Sequence, residues 1–200
     1  MVTSLKTMEH SEARGSAVIP WILVTIVVFG SLLAAIWLRP TDQNKIPGYT
    51  PLIERNLLGP FELSHHDGRL INSDFFAGDW TLVFFGFTHC PDVCLTTLSV
   101  LNQLVIGMGE NAPRVVFVGV DPERDRALIK GYVHAFNPDF HGVTGGLTEL
   151  QNLGYQLQTL FALDNDMVTH TSNIMLVNPD AEFVGYFRVP HRPDTMARAL

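Results

Sequence analysis

The sequence predicts one α/β domain of thioredoxin-like order: a central mixed sheet flanked by helices, with a β-hairpin at its N-terminal end. A single transmembrane helix precedes it. Three observations carry this reading. An uncharged run from Ala17 to Leu38 has bilayer length. Two apolar runs, Trp80–Phe87 and Arg114–Val120, have strand length, and each is followed by a helical pattern. Two further strand patterns, Ser172–Val177 and Glu182–Arg188, are joined by the turn residues Asn178-Pro179-Asp180.

The elements follow in chain order. Residues 1–16 read as a short cytoplasmic N-terminus. Residues 17–38 read as the membrane span: 22 uncharged residues, about 33 Å long as a helix, against a bilayer core of about 30 Å. Trp21 and Trp37 sit near its ends, where indole rings favour the headgroup layer. Length and all-round apolarity argue against a buried core helix. A cleaved signal peptide is the alternative, but its apolar region is normally shorter and ends in small residues, whereas Ile36 and Trp37 follow Ala34 and Ala35 here. Lys6 and Arg14 before the span balance Arg39 and Lys45 after it. Long domains translocate largely regardless of charge, which favours an external C-terminal domain. The N-terminus holds Glu9 and Glu12 and lacks the Arg-rich pattern of a mitochondrial presequence. The expected location is therefore a bacterial inner membrane, single-pass, with the domain in the periplasm.

Residues 39–58, with Pro40, Pro47, Gly48 and Pro51, read as a linker. Residues 59–200 read as the folded domain. It opens with a hairpin across His66-Asp67-Gly68. The buried strand Trp80–Phe87 follows, then a helix to about Met108 with Leu95, Leu98, Leu101, Leu104 and Val105 on one face. After the strand Arg114–Val120, Asp121 is the expected cap and Pro122 the first residue of a helix to about Phe136. A short helix is expected over Thr148–Leu160, then the two final strands. The formal charge is −7 and no Lys/Arg cluster occurs, which argues against nucleic-acid binding.

The chemistry concentrates at Cys90-Pro91-Asp92-Val93-Cys94, where the first buried strand turns into a helix. Such turns lie at the carboxyl end of the sheet, where open α/β folds place their sites. Helix-start N–H groups and the helix dipole favour thiolates. Residues four apart share one helix face, so both sulfurs could address one external point. Two thiolates form a soft ligand pair suited to Cu(I), with zinc as a competitor. A plain disulfide or two buried thiols is the alternative. A third ligand is sought among eight histidines. His10 lies across the membrane. His65 and His66 fit a solvated turn, His134 a helix surface, and His89 points away from its neighbour Cys90. His170 follows the loop of Asp164, Asn165 and Asp166. In a thioredoxin-like fold this loop faces the cysteine turn, and redox thioredoxins place a cis-proline there. No proline occurs between Pro138 and Pro179, and imidazole completes an S₂N copper set. Asp121–Asp125 reads as a helix cap with solvated charges; the alternative is a carboxylate supporting the same face, or partner docking.

The stretches FFGFTHCPDVC, VDPERD and THTSNIMLVNPDAEFVGYF resemble the Sco/SenC family, over roughly Gly59 to Leu200. This resemblance implies a membrane-tethered copper chaperone for cytochrome c oxidase assembly. It implies Cys90, Cys94 and His170 as ligands of Cu(I) and Cu(II), and delivery to the dinuclear copper centre of oxidase subunit II. Many members carry Asp before the histidine, where this chain has Thr169. The expected protein is not an enzyme, and its cysteine pair needs a thiol reductant. The competing function is a thiol–disulfide oxidoreductase acting on a copper-receiving partner; a peroxidase-like thiol enzyme is more remote. The CxxxC spacing and the absent cis-proline argue against a general reductase.

Overall fold

The computed structural model describes residues 18–37, 46–164, 167–170 and 172–200, which fall into two compact units, 1–44 and 45–200. In the first unit, α1 (Val18–Trp37) is a 20-residue helix with no charged residue in its first or last turn. Trp21, Ile26, Val27 and Phe29 are exposed within that unit. The hydroxyl of Ser31 donates to the carbonyl of Val28 (2.9 Å), so this polar group is satisfied inside the helix.

The second unit holds, in order, β1 (Tyr49–Leu57), β2 (Leu63–His65), β3 (Leu70–Ile71), β4 (Thr81–Gly86), α2 (Val93–Met108), β5 (Arg114–Gly119), α3 (Pro122–His134), β6 (His141–Thr144), α4 (Leu147–Gln156), β7 (Phe161–Asp164), β8 (Met167–His170), β9 (Ile174–Val177), β10 (Glu182–Phe187) and α5 (Pro193–Ala197). Eight strands form one mixed sheet in the order β1-β10-β9-β4-β5-β6-β2-β3. Strands β4, β5 and β6 run parallel and β9 runs antiparallel to β4. Among the described residues, strands β7 and β8 pair only with each other.

Side chains alternate across a strand, and β4 shows this directly. Leu82 and Phe84 pack with Leu98, Leu101 and Leu104 of α2, Ile129 and Val133 of α3, and Met196 of α5. Val83 and Phe85 pack with Leu150, Leu153 and Leu157 around α4 on the opposite face. All six residues of β4 are buried, as the unbroken apolar run predicts for a doubly covered strand. By length and apolarity Val93–Asn111 could also cross a membrane, but the buried face of α2 belongs to this core. That face carries Cys94, Thr97, Leu98, Leu101 and Leu104, while Leu95, expected on it, is exposed.

Several expectations are corrected. Part of the presumed linker is the edge strand β1, which pairs with β10. Its register breaks between Pro51 and Asn56, a bulge that blunts an edge. Strand β6 is not among the elements the sequence pattern predicts. The loop expected before His170 is largely the hairpin β7–β8. His65 is not solvated: it is buried, because it shares the inward face of β2 with Leu63.

Four histidines converge at this edge of the sheet. His65 Nε2 and His141 Nδ1 lie 3.0 Å apart and share a proton, and His65 Nδ1 lies 2.8 Å from Asp67 Oδ1. His66 Nδ1 accepts the N–H of Gly142 (2.9 Å), and its ring meets the His134 ring edge-on at 4.8 Å. Burial holds both His66 and His141 down to about 4, with the charge of neighbouring His65 acting in the same direction. His134 and Lys130 also oppose protonation of His66, Arg114 and Arg69 oppose that of His141, and Asp67 favours that of His66.

Two predictions follow from this packing. Leu101→Ala removes a fully buried α2 side chain and should cost about 2–5 kcal/mol in denaturant unfolding; an unchanged midpoint would contradict the core described. In acid, the unfolded chain takes up protons at these two histidines before the folded chain does. Stability should therefore fall as pH drops from 6.5 towards about 4. His141→Gln should flatten that slope, and equal wild-type midpoints at either end of the window would refute the coupling.

Candidate metal centre

The cysteine turn begins where β4 ends. Cys90 N–H donates to the carbonyl of Phe87 (3.1 Å), closing a tight turn. Val93 starts α2, so Cys94 falls in the first helical turn, as the spacing predicts. Asp92 is the N-cap but makes no side-chain cap bond. The N–H of Cys94 points instead at Cys90 Sγ (3.4 Å). Both cysteines are free. The sulfurs are brought together as expected, but not at an exposed point: Cys90 is 8% exposed and Cys94 is fully buried.

Gly86 explains how Cys94 is buried. It is the last residue of β4 and lies on the α2 side of the strand. A Cβ there would come within 2.9 Å of Cys94 Sγ and 2.7 Å of the Phe117 ring. Only glycine lets the helix start approach this closely. The expected thiolate-stabilising effect of the helix start does not prevail at Cys94. Burial pushes its thiol well above the usual range, reinforced by its hydrogen bond with Cys90 and by the charges of Cys90 and Asp125.

Asp125 corrects the reading of DPERD as solvated charge. Asp121 does cap α3, accepting the N–H of Arg124. Asp125, however, is fully buried. Its carboxylate accepts the N–H of Thr88 (2.8 Å) and of Asp121 (3.0 Å). It thereby ties the segment entering the cysteine turn to the start of α3. Burial raises its pKa, and these two backbone bonds oppose the rise. The sequence carried a signal for it: Asp125, Ile129 and Val133 are four apart and share the buried face of α3. His89 is exposed, with Nδ1 3.2 Å from its neighbour's Thr88 hydroxyl.

His170 is the last residue of β8, paired with Phe161; its side chain, like Asn165 and Asp166, lies outside the described part of the structure. The register places its backbone. Ile174 pairs with Phe84 in an antiparallel ladder, so the chain from His170 enters the sheet at the end of β4 from which the cysteine turn leaves. His191 Nε2 donates to the carbonyl of Ser172 (2.8 Å) on this entering segment. Burial lowers the pKa of His191, and its hydrogen bond to Ser172 opposes the shift. A cavity of about 360 Å³, lined by Asp92, Val93, Thr96, Thr97, Val189 and His191 among others, opens beside the cysteine helix. No group of three His, Cys, Asp or Glu residues in metal-holding geometry occurs among the described residues.

With this arrangement in view, likeness to known proteins is informative. The chain is 30% identical over 191 residues to an SCO2-like protein of Rickettsia conorii, covering 90% of this chain and 93% of that one. It is 32% identical over 193 residues to the human mitochondrial SCO1 homolog, covering 88% of this chain and 64% of the human protein. Among solved structures, copper-bound ScoI of Arabidopsis thaliana superposes with a TM-score of 0.67 at 32% identity, covering 72% of this chain and 94% of that one. Copper-bound ScoI of Bradyrhizobium japonicum gives 0.63 at 32% identity, covering 72% and 96%. The domain is thus a thioredoxin-like fold of the Sco type, with a mixed sheet flanked by helices. The sequence pattern of SCO1/SenC proteins matches residues 51–200, and the chain belongs to the SCO1/SenC family.

Proposed function

We propose that this protein is a membrane-anchored copper chaperone. It holds copper through Cys90, Cys94 and His170 and delivers it to the dinuclear copper centre of cytochrome c oxidase subunit II. The observation that carries the reading is the free cysteine pair at the end of β4, with Cys94 N–H directed at Cys90 Sγ. Backbone entry at the same end of the sheet supports His170 as third ligand. The two copper-bound ScoI structures support copper as the cargo. Helix α1 is the anchor in this reading: 20 residues span about 30 Å. The domain then lies on the periplasmic side of a bacterial inner membrane.

The donor set suits the cargo. Thiolate sulfur is a soft ligand that favours Cu(I), and an imidazole nitrogen adds a donor that Cu(II) accepts. Copper replaces the thiol protons, and its positive charge offsets the anionic sulfur that burial disfavours at Cys94. Delivery needs both thiols reduced, which makes a thiol reductant a second partner. A thiol–disulfide exchange role is the other reading, favoured by two free cysteines held together by the Cys94 N–H to Cys90 Sγ bond.

The reduced full-length protein should bind about one copper per chain, and the disulfide form none, because the bridge removes both anionic ligands. Affinity should fall on acidification, since protons compete for thiolate and imidazole. Metal analysis of reduced and oxidised protein across pH checks both points; stoichiometric Cu(I) on the oxidised form would remove the cysteines from the site.

His170→Ala separates the two functions. Loss of the nitrogen donor should abolish Cu(II) binding and weaken Cu(I), which two thiolates still hold. Exchange with a small disulfide should stay within about tenfold, because it depends on thiolate fraction and access. Full oxidase assembly in cells carrying the variant would favour thiol exchange over metal delivery.

A further inference from the structure

Among the described residues, the hairpin β7–β8 is a two-stranded ladder that joins no other strand. Such a ladder is marginal in water without packing from outside. Its first pair is Phe161 opposite His170, so whatever anchors Phe161 also places the backbone of His170.

Phe161 is firmly seated. Its ring stacks on Phe85 of β4, with centroids 6.1 Å apart and planes inclined by 27°. It packs against the core on the α4 side of the sheet. Gly154 of α4 makes room for it: a Cβ there would lie 3.2 Å from Phe161 Cε1 and 2.9 Å from the carbonyl of Thr159. The approach to the hairpin is also fixed. Thr159 N–H donates to the carbonyl of Gly154 (2.8 Å), and its hydroxyl reaches Met175 Sδ (3.3 Å). Leu160, between Thr159 and Phe161, is exposed. Phe85 in turn precedes Gly86, the residue against which Cys94 packs on the opposite face of β4. Phe161 and Cys94 therefore grip the same end of one strand from its two faces.

We propose that Phe161 is a positioning residue for copper: stacked on Phe85 and paired with His170, it sets the histidine-bearing hairpin against the cysteine-bearing end of β4. This rests on the reading of His170 as a ligand. A slack hairpin leaves the thiolates in place but lets the nitrogen donor drift, so Cu(II) suffers more than Cu(I).

The test uses the full chain in detergent, reduced and titrated with Cu(I) or Cu(II). Phe161→Ala should weaken Cu(II) by about tenfold or more, as loss of a residue that orients a ligand does. It should also diminish nitrogen coupling in the electron paramagnetic resonance spectrum, with a much smaller loss for Cu(I). Phe161→Tyr keeps the ring and should restore both. Phe161→Leu keeps apolar volume in the core; should the alanine variant fail to fold, the leucine variant should show the same loss in lesser degree. Wild-type Cu(II) affinity and spectrum in a folded Phe161→Ala or Phe161→Leu protein overturns the proposal, provided that His170→Ala abolishes the signal. If His170→Ala leaves the Cu(II) spectrum unchanged, the ligand reading itself fails, and the proposal with it.

Discussion

At Gly86 the backbone of β4 touches the sulfur of a residue on the next element, and the site depends on that contact. Leu82 and Phe84 seat α2 and α3 on one face of β4, and Val83 and Phe85 seat α4 on the other. The next residue on the α2 side is Gly86. Where a side chain would hold the helix away, Cys94 Sγ comes close enough that even a Cβ would clash. Closely packed interiors do not absorb such an overlap. The same strand thus fixes the cysteine helix on one face and, through Phe85 and Phe161, the base of the histidine hairpin on the other.

Burial at this point opposes charge. A helix start offers a partial positive charge worth roughly 0.3–1 kcal/mol to an exposed anion. For the fully buried Cys94 the loss of water outweighs it, and the nearby Cys90 and Asp125 charges act in the same direction. Burial therefore disfavours a reactive thiolate at Cys94. A soft cation changes this balance, since it displaces the protons and supplies the charge the site lacks. In the proposed chaperone, burial keeps the Cys94 thiol quiet until copper arrives. Asp125 contributes by holding the Thr88 backbone, and with it the entry to the cysteine turn.

Around His65, four ring nitrogens are engaged: His65 Nε2 with His141 Nδ1, His65 Nδ1 with Asp67, and His66 Nδ1 with the Gly142 backbone. Metal binding through His66 Nδ1 would require giving up the Gly142 bond. The cluster instead ties the β2–β3 hairpin to β6 and α3 at the amino ends of the parallel strands, away from the cysteines.

Strong local patterns made much of this protein legible in its sequence. The apolar runs gave β4, β5 and α1, the Asp121-Pro122 pair gave the start of α3, and the CxxxC spacing at a strand end gave the cysteine turn. What escaped has no local signature. Strand β1 carries Pro51, Glu54 and Arg55 and becomes a strand only by pairing with β10. Strand β6 is four residues, His141–Thr144, ordered by β5 and β2. The burial of Asp125 and His65 was readable only as polar residues in step with apolar neighbours, a weak signal beside the usual solvation of charge. The roles of Gly86 and Phe161 depend on contacts with residues 8 and 76 positions away in the chain. Local propensity and periodicity determine which segments become helix or strand; the approach of one segment to another is decided by packing, because close contact is a property of two surfaces and neither sequence segment contains it alone.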